Sequence, residues 1–346
     1  MLTKVIPEEK VIATYKAIQR AKRIVIVAHK RPDGDAIGSC LGLYHFLYSF
    51  ERETFVILPD AIPANMSILP SSSEILNFEL EPDKCRSILT DTDLIFCLDF
   101  NNLSRIGQLG DIIANSNAEK IMIDHHLDYQ PFADVSISHP EITSTSELVF
   151  RLICRMGYFA DMTQQTAECI CAGMLTDTGG LAYNSNSPEI YTIFAELLRK
   201  GVDKDALYRH LFNTYKESRM RLMGYVLSQK LEILPDYHTA IFSLSEKELA
   251  QYNYEKGDTE GFVNLPLSIQ GVWFSIFARE DKDTVKLSLR SVGDFPANRF
   301  ASEFFGGGGH LNASGAESKL SLSDTIKKIK EVLPDFVANN KTVDSN

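Results

Sequence analysis

Between residues 23 and 50 the chain changes character twice. Arg23-Ile-Val-Ile-Val-Ala28 reads as a β-strand, and Ile37 to Phe50 carries the apolar spacing of a helix. Between them stands His29-Lys30-Arg31-Pro32-Asp33-Gly34-Asp35-Ala36. A strand feeding a helix through a tight turn is the repeating unit of a parallel α/β sheet, and such sheets place their functional groups beyond the carboxyl ends of the strands. Pro32 and Gly34 supply the special backbone angles of the turn. His29, Asp33 and Asp35 offer one imidazole and two carboxylates within seven residues, a donor set suited to Mn2+, Mg2+ or Zn2+. The plain alternative is a solvated loop in which Asp35 caps the helix.

The pattern recurs. Strands over 54–58, 94–98 and 120–123 alternate with helices over 8–22, 36–50, 106–115, 144–157 and 163–175, with a mixed stretch from 60 to 90. Leu94–Leu98 is apolar throughout and Lys120-Ile-Met-Ile123 is apolar after its lysine, as in strands covered on both faces, and they end in Asp99 and in Asp124-His125-His126. This predicts an α/β fold with a parallel, doubly wound sheet over 1–190, whose strand ends share one edge. A helical connector over 191–232 is expected to join it to a smaller α/β domain over 233–340. That domain has strands over 237–244, 272–278 and 285–289, and helices over 246–252, 296–304 and 321–333. The end of the chain, from 336, reads as frayed. The active site is expected in the cleft between the two domains, with the connector as its hinge.

The formal net charge of -11 argues against a surface that grips long duplex nucleic acid, but leaves room for a small phosphorylated ligand. The six cysteines form no C-x-x-C pair and read as reduced thiols of a cytoplasmic protein. The N-terminus is polar and no apolar run approaches ~18 residues, so neither a signal peptide nor a membrane span is expected. Monomer and homodimer both stay open.

Four further stretches carry chemistry. Asp99 is followed at six residues by Arg105, whose planar fork suits a phosphate; by itself, an Asp at a strand end is usually the start of a turn. Asp124-His125-His126 places two imidazoles after a buried strand, with a carboxylate able to fix a tautomer; the bland reading is histidines satisfied by backbone. Thr176-Asp177-Thr178-Gly179-Gly180 closes a helix and adds a carboxylate. Gly306-Gly-Gly-Gly309-His310-Leu-Asn312-Ala-Ser-Gly315 would be a linker anywhere else. Inside a domain its bare amides can form an anion nest, with Arg290 and Arg299 near in sequence.

Together, His29-x3-Asp33-x-Asp35, Asp99 with Arg105, Asp124-His125-His126, Thr176-Asp177-Thr178-Gly179 and the Gly306–Gly315 stretch resemble, over roughly residues 20 to 320, the DHH phosphoesterases that carry a DHH-associated C-terminal domain. The resemblance implies two divalent ions, Mn2+ foremost, with Mg2+, Co2+ or Zn2+ as alternatives. It implies that His29 and Asp33 hold one ion, that Asp35, His125 and Asp177 hold the other, and that Asp99 bridges them. His126 and Arg105 would contact the scissile phosphate. Arg290, Gly307, Gly308, Gly309, His310 and Asn312 would hold the far end of a nucleotide. The implied reaction is an in-line attack by a hydroxide bridging the ions on oligoribonucleotides of about two to five nucleotides, giving mononucleotides, and on pAp (3′-phosphoadenosine 5′-phosphate), giving AMP. The nearest alternative is a phosphodiesterase for pApA or cyclic-di-AMP. Less supported are an inorganic pyrophosphatase, which lacks the Gly-Gly-Gly-Gly-His stretch, a long-DNA exonuclease, and a non-catalytic nucleotide-binding protein.

Overall fold

The structure, a computed structural model, describes residues 2–340. The chain divides into two units, Met1–Thr214 and Tyr215–Asn346. The first contains α1 (Glu8–Arg20), β1 (Arg23–Val27), α2 (Gly34–Tyr48), β2 (Glu53–Leu58), β3 (Leu76–Asn77), α3 (Pro82–Thr90), β4 (Leu94–Leu98), α4 (Gln108–Ala114), β5 (Glu119–Asp124), β6 (Val135–Ser138), α5 (Thr145–Arg155), α6 (Gln164–Asp177), α7 (Pro188–Arg199) and α8 (Lys204–Phe212). Its six strands are all parallel, in the order β3-β2-β1-β4-β5-β6. The chain therefore winds outward from β1 in one direction, returns, and winds outward from β4 in the other. This makes the β1/β4 junction a topological switch point, where sheets of this kind open a crevice.

The alternating side chains of the central strands explain the two layers. Ile24, Ile26, Phe96, Leu98, Ile121 and Ile123 pack under α1, α2, α5 and α6. Val25, Val27, Ile95, Cys97 and Met122 face the opposite way, onto Cys85 and Leu89 of α3 and Leu109 and Ile113 of α4. Period-two side chains buried on both faces are what make these strands read as unbroken apolar runs.

One close crossing sets the site. Gly34, Gly38 and Gly42 lie four residues apart on one face of α2. A Cβ on Gly38 would stand 2.6 Å from the Cys169 carbonyl oxygen and 2.6 Å from the Gly173 nitrogen of α6. Gly34, taken above as a turn former, is instead inside the helix, where a Cβ would meet the Thr176 side chain at 2.3 Å. The positive backbone angle of the turn belongs to Arg31 (φ 54°). The crossing brings Asp35, at the start of α2, beside Asp177, the last residue of α6. Gly38→Ala is expected to destabilise the first unit by about 2 kcal/mol or more, because rigid backbone receives the new methyl. Thermal unfolding should show a fall of roughly 4–8 °C.

Other expectations also change. Asp33, not Asp35, caps α2, accepting from the Asp35 and Ala36 amides, which leaves the Asp35 carboxylate free for the site. The stretch 60–90 contains β3 and α3, and 106–115 resolves into a 3-10 turn, Leu103–Ile106, followed by α4. Edge strand β6 was not expected; it is short and half polar (Val-Ser-Ile-Ser), too weak a pattern to read.

The second unit contains α9 (Glu217–Tyr225), β7 (Glu232–Leu234), β8 (Thr239–Leu244), α10 (Glu246–Gln251), β9 (Phe274–Asp281), β10 (Thr284–Ser291), α11 (Ala297–Phe305), β11 (Gly308–His310), β12 (Ala313–Ser318) and α12 (Leu322–Asn339). Helices expected together over 191–232 thus fall in both units, and β7 begins at their end. The mixed sheet runs β11-β12-β10-β9-β8-β7, antiparallel except for β8 with β9. The frayed end expected from 336 is helical to Asn339, because Phe336 and Val337 are buried against Phe295 and Phe300. Residues 341–346 lie outside the described residues.

Candidate active site

His29 follows β1 and Asp99 follows β4, on either side of the switch point. Asp99 takes a left-handed conformation, φ 64°, with its amide bonded to the Ile123 carbonyl of β5 at 3.0 Å. A non-glycine residue in that region carries strain of order 1 kcal/mol or more, which the surrounding structure must impose. Here it turns the carboxylate into the crevice.

The two oxygens of Asp99 are divided. Oδ2 lies 3.4 Å from His29 Nε2, which is in turn 3.7 Å from Asp33 Oδ2. Oδ1 lies 3.6 Å from His125 Nε2, which is 3.3 Å from Asp177 Oδ2 and 4.0 Å from Asp35 Oδ2. Three overlapping groups of potential metal donors result, His29–Asp33–Asp99, Asp35–His125–Asp177 and Asp99–His125–His126, with Asp99 in two of them and beside His125 of the other. In the last, His126 Nδ1 is already bonded to Asp124, which leaves the first two as the ion sites. Donors held ~2.1 Å from one cation stand roughly 3.0–3.5 Å apart, close to these separations.

The chemistry of the groups fits cations. His29 Nε2 is buried and makes no hydrogen bond, while Nδ1 donates to the Lys30 carbonyl at 2.9 Å. His125 Nδ1 likewise donates to the Ile142 carbonyl at 3.2 Å. Both rings are thereby held with Nε2 turned into the site, the usual support of a metal-bound imidazole. Burial disfavours a charged His29, yet the nearby carboxylates of Asp33 and Asp99 outweigh it and lift its pKa to about 10. Burial, then the charges of Asp99 and Asp177, push Asp35 well above the ordinary carboxylate range. Burial also raises Asp177, with His125 opposing and Asp99 and Asp33 adding to the rise, to about 7. Asp35 and Asp177 are thus the carboxylates of the site that favour a proton in the absence of a stronger cation, whereas Asp33, beside His29, is held below the ordinary carboxylate range.

That gives a sign for pH. Ions must displace protons from His29 and Asp177, so apparent Mn2+ affinity rises with pH between about 6 and 8. Calorimetry in buffers of different ionisation enthalpy should show at least one proton released per chain at pH 8 and more at pH 6. A heat independent of buffer would contradict this assignment.

His126 differs from His125. Its Nδ1 donates to Asp124 Oδ1 at 2.8 Å, and its amide donates to Asp124 Oδ2 at 3.1 Å, so Nδ1 is taken. Burial lowers the ring's affinity for a proton, but the Asp124 bond and the Asp99 charge raise it above its ordinary value, with Arg105 opposing. Arg105 is exposed, on the turn Leu103–Ile106, and its carbonyl accepts the Lys30 amide at 2.8 Å, tying that turn to the loop after β1.

The remaining predicted residues gather in the second unit. His310, Ala313 and Arg290 are paired across β11, β12 and β10 and share one face of the sheet. The glycine run is a hairpin strand in place of a nest. Gly306 ends α11, and Cβ atoms on Gly307 and Gly309 would strike β12 at 2.2 and 2.5 Å, whereas Gly308 has nothing within 4 Å. The Asn312 amide donates to Ser291 Oγ at 2.9 Å and to the Gly293 carbonyl at 2.8 Å, so it braces the loop. Arg299 is paired with Glu303.

The residues that the sequence reading missed are at the start of α5. The Thr145 and Ser146 amides donate to Asp35 at 2.6 and 2.9 Å, and the Thr145 hydroxyl donates to Asp99 Oδ1 at 2.9 Å. Ser144-x-x-Glu147 announces a helix start, but nothing local says which carboxylates it will meet.

With this geometry in view, comparison with known proteins is specific. The N-terminal domain of the DHH family matches residues 23–174, and the DHHA1 domain matches residues 238–339. The chain is 31% identical, over 90% of its length and 89% of the relative's, to a bifunctional oligoribonuclease and PAP phosphatase, NrnA, of Thermus thermophilus. It is 24% identical, over 94% of its length but 49% of the relative's, to a cyclic-di-AMP phosphodiesterase, GdpP, of Bacillus subtilis. Among solved structures, an exopolyphosphatase-related protein from Bacteroides fragilis shares 53% identity and a TM-score of 0.96, covering 99% of this chain and 100% of that one.

Proposed function

The chain belongs to the DHH/DHHA1 family of metal-dependent phosphoesterases, and from that premise we propose that it hydrolyses oligoribonucleotides of about two to five nucleotides to mononucleotides, and pAp to AMP, with two divalent ions, Mn2+ foremost. The observation that carries this reading is the division of Asp99, one oxygen toward each of two donor groups. Bound there, a pair of divalent ions supplies a water acidic enough to attack phosphorus near neutral pH, and neutralises charge on the phosphoryl oxygens.

The chain's own residues do the rest. His29, Asp33, Asp35, His125 and Asp177 present donors, and Asp99 holds the two groups in register. His126, kept in one orientation by Asp124 and favouring its protonated form, donates from Nε2 to the phosphoryl or leaving oxygen. Arg105 binds a phosphoryl oxygen through its fork. Arg290, Gly308 and His310 recognise the far end of the nucleotide, with Gly308 the position where bare backbone is open to a ligand, while Gly307 and Gly309 let the strand lie against β12. Asn312 shapes that loop. No nucleophilic side chain is required.

A panel of pAp, pApA, cyclic-di-AMP, RNA of two to ten nucleotides and long single strands, assayed with Mn2+, tests the substrate. The expected result is turnover of pAp and of the shortest RNAs, falling with length. Equal rates on a dinucleotide and a long strand would defeat the length preference. Preference for cyclic-di-AMP would move the chain toward the activity named for its Bacillus subtilis relative, and preference for pApA would replace the proposed substrate.

A further inference from the structure

We propose that Thr145 is a positioning residue that holds Asp99 for the ion at Asp35, His125 and Asp177, and not for the ion at His29 and Asp33. This rests on the two-ion reading above. Thr145 is fully buried at the first position of α5. Its hydroxyl is not needed to cap that helix, because Ser144 does so, accepting the Glu147 amide at 3.1 Å. The hydroxyl instead donates to Asp99 Oδ1 at 2.9 Å, on the side of His125. The amide of the same residue donates to Asp35 Oδ2 at 2.6 Å. Thr145 therefore touches Asp35 of the second donor group and the Asp99 oxygen that faces that group's His125.

The other side of Asp99 has its own support. Oδ2 faces His29 and Asp33, and an ion held by those residues would fix that oxygen directly. Asp99 stands in a left-handed conformation at a strand end, so once Oδ2 is held, the plane of its carboxylate depends on what holds Oδ1. The Thr145 hydroxyl is fixed to a helix, and it points Oδ1 at the second group before any ion arrives. Without it, Oδ1 is a buried acceptor that has lost a donor, free to turn away from His125. Groups that orient metal ligands in this way are worth about 10–100-fold in metal affinity.

The test is a titration of the ion-free, full-length chain with Mn2+, read by calorimetry and by electron paramagnetic resonance, for wild type, Thr145→Val and Thr145→Ser. Wild type is expected to take two ions per chain and show the signal of a spin-coupled pair. In Thr145→Val the first ion should bind within about threefold of wild type and the second roughly 10–100-fold more weakly, with the coupled signal replaced by that of isolated Mn2+. Thr145→Ser keeps the hydroxyl and should restore the pair. If the valine variant does not fold, Thr145→Ala gives the same readout. Two ions bound with wild-type affinity in a hydroxyl-free variant, equal weakening of both sites in a folded variant, or no rescue by serine each overturn the assignment. A wild-type chain that binds fewer than two ions overturns the two-ion reading itself, and this inference with it.

Discussion

Asp99→Asn is expected to lower turnover of any phosphoester substrate by at least about 10³-fold, since removal of a single electrostatic stabiliser commonly costs 10²–10³ and this residue serves both ions. Asparagine keeps the side-chain shape and tolerates the left-handed backbone at φ 64°. The effect on folding should be small, because two terms oppose. Losing the carboxylate removes attraction to His29, which Asp99 helps to hold protonated, and relieves repulsion with Asp35 and Asp177. In the absence of ions the melting temperature should therefore stay within roughly 4 °C of wild type. A variant that melts like the wild type and retains turnover would remove Asp99 from the centre of the site.

Ion removal and return should produce the other large effect. Exhaustive chelation is expected to leave only background hydrolysis, with activity restored by Mn2+. Each site filled at ~100 times its dissociation constant stabilises by about 2.7 kcal/mol, so two give about 5 kcal/mol. For a unit the size of Met1–Thr214, each kcal/mol is worth roughly 2–4 °C, so saturating Mn2+ should raise its melting temperature by about 10–20 °C. All six expected ligands belong to that unit, so a separate transition of the second unit should not move. Asp99→Asn should show little of the gain. A wild-type melting temperature indifferent to Mn2+ and to chelator would contradict the site.

Much of this was legible in the residues. Val25 and Val27 alternate with Ile24 and Ile26 in a strand buried on both faces, which is why the run reads as unbroken, and the same holds from Leu94 to Leu98. The polar residues that stop such runs, His29, Asp99 and the Asp124–His126 triplet, stand at the sheet's carboxyl edge for that reason. Asp177 was legible as one more carboxylate at a helix end, but which ion it serves was legible only through resemblance; its place depends on the crossing of α2 and α6. The spacing of Gly34, Gly38 and Gly42 was a readable sign of that crossing, since small residues four apart let a second helix come close. Thr145 was not readable, because its partner Asp99 is 46 residues away and a threonine at a helix start has an ordinary explanation. The Gly306–Gly309 stretch misled for a similar reason. Composition says that glycine is required but not whether a ligand or a neighbouring strand requires it, and at Gly307 and Gly309 it is β12.

Among the described residues no helix is long and apolar enough to cross a membrane. All six cysteines are unpaired, five of them buried, as expected of thiols that serve packing. Neither observation bears on the metal site, whose donors are oxygen and imidazole nitrogen throughout.

Anomalous scattering from crystals soaked in Mn2+ tests the arrangement at its centre. The account predicts two peaks ~3.5–4 Å apart, one bounded by His29 and Asp33, the other by Asp35, His125 and Asp177, with Asp99 reaching both. A single peak, peaks elsewhere, or none at saturating manganese would contradict it.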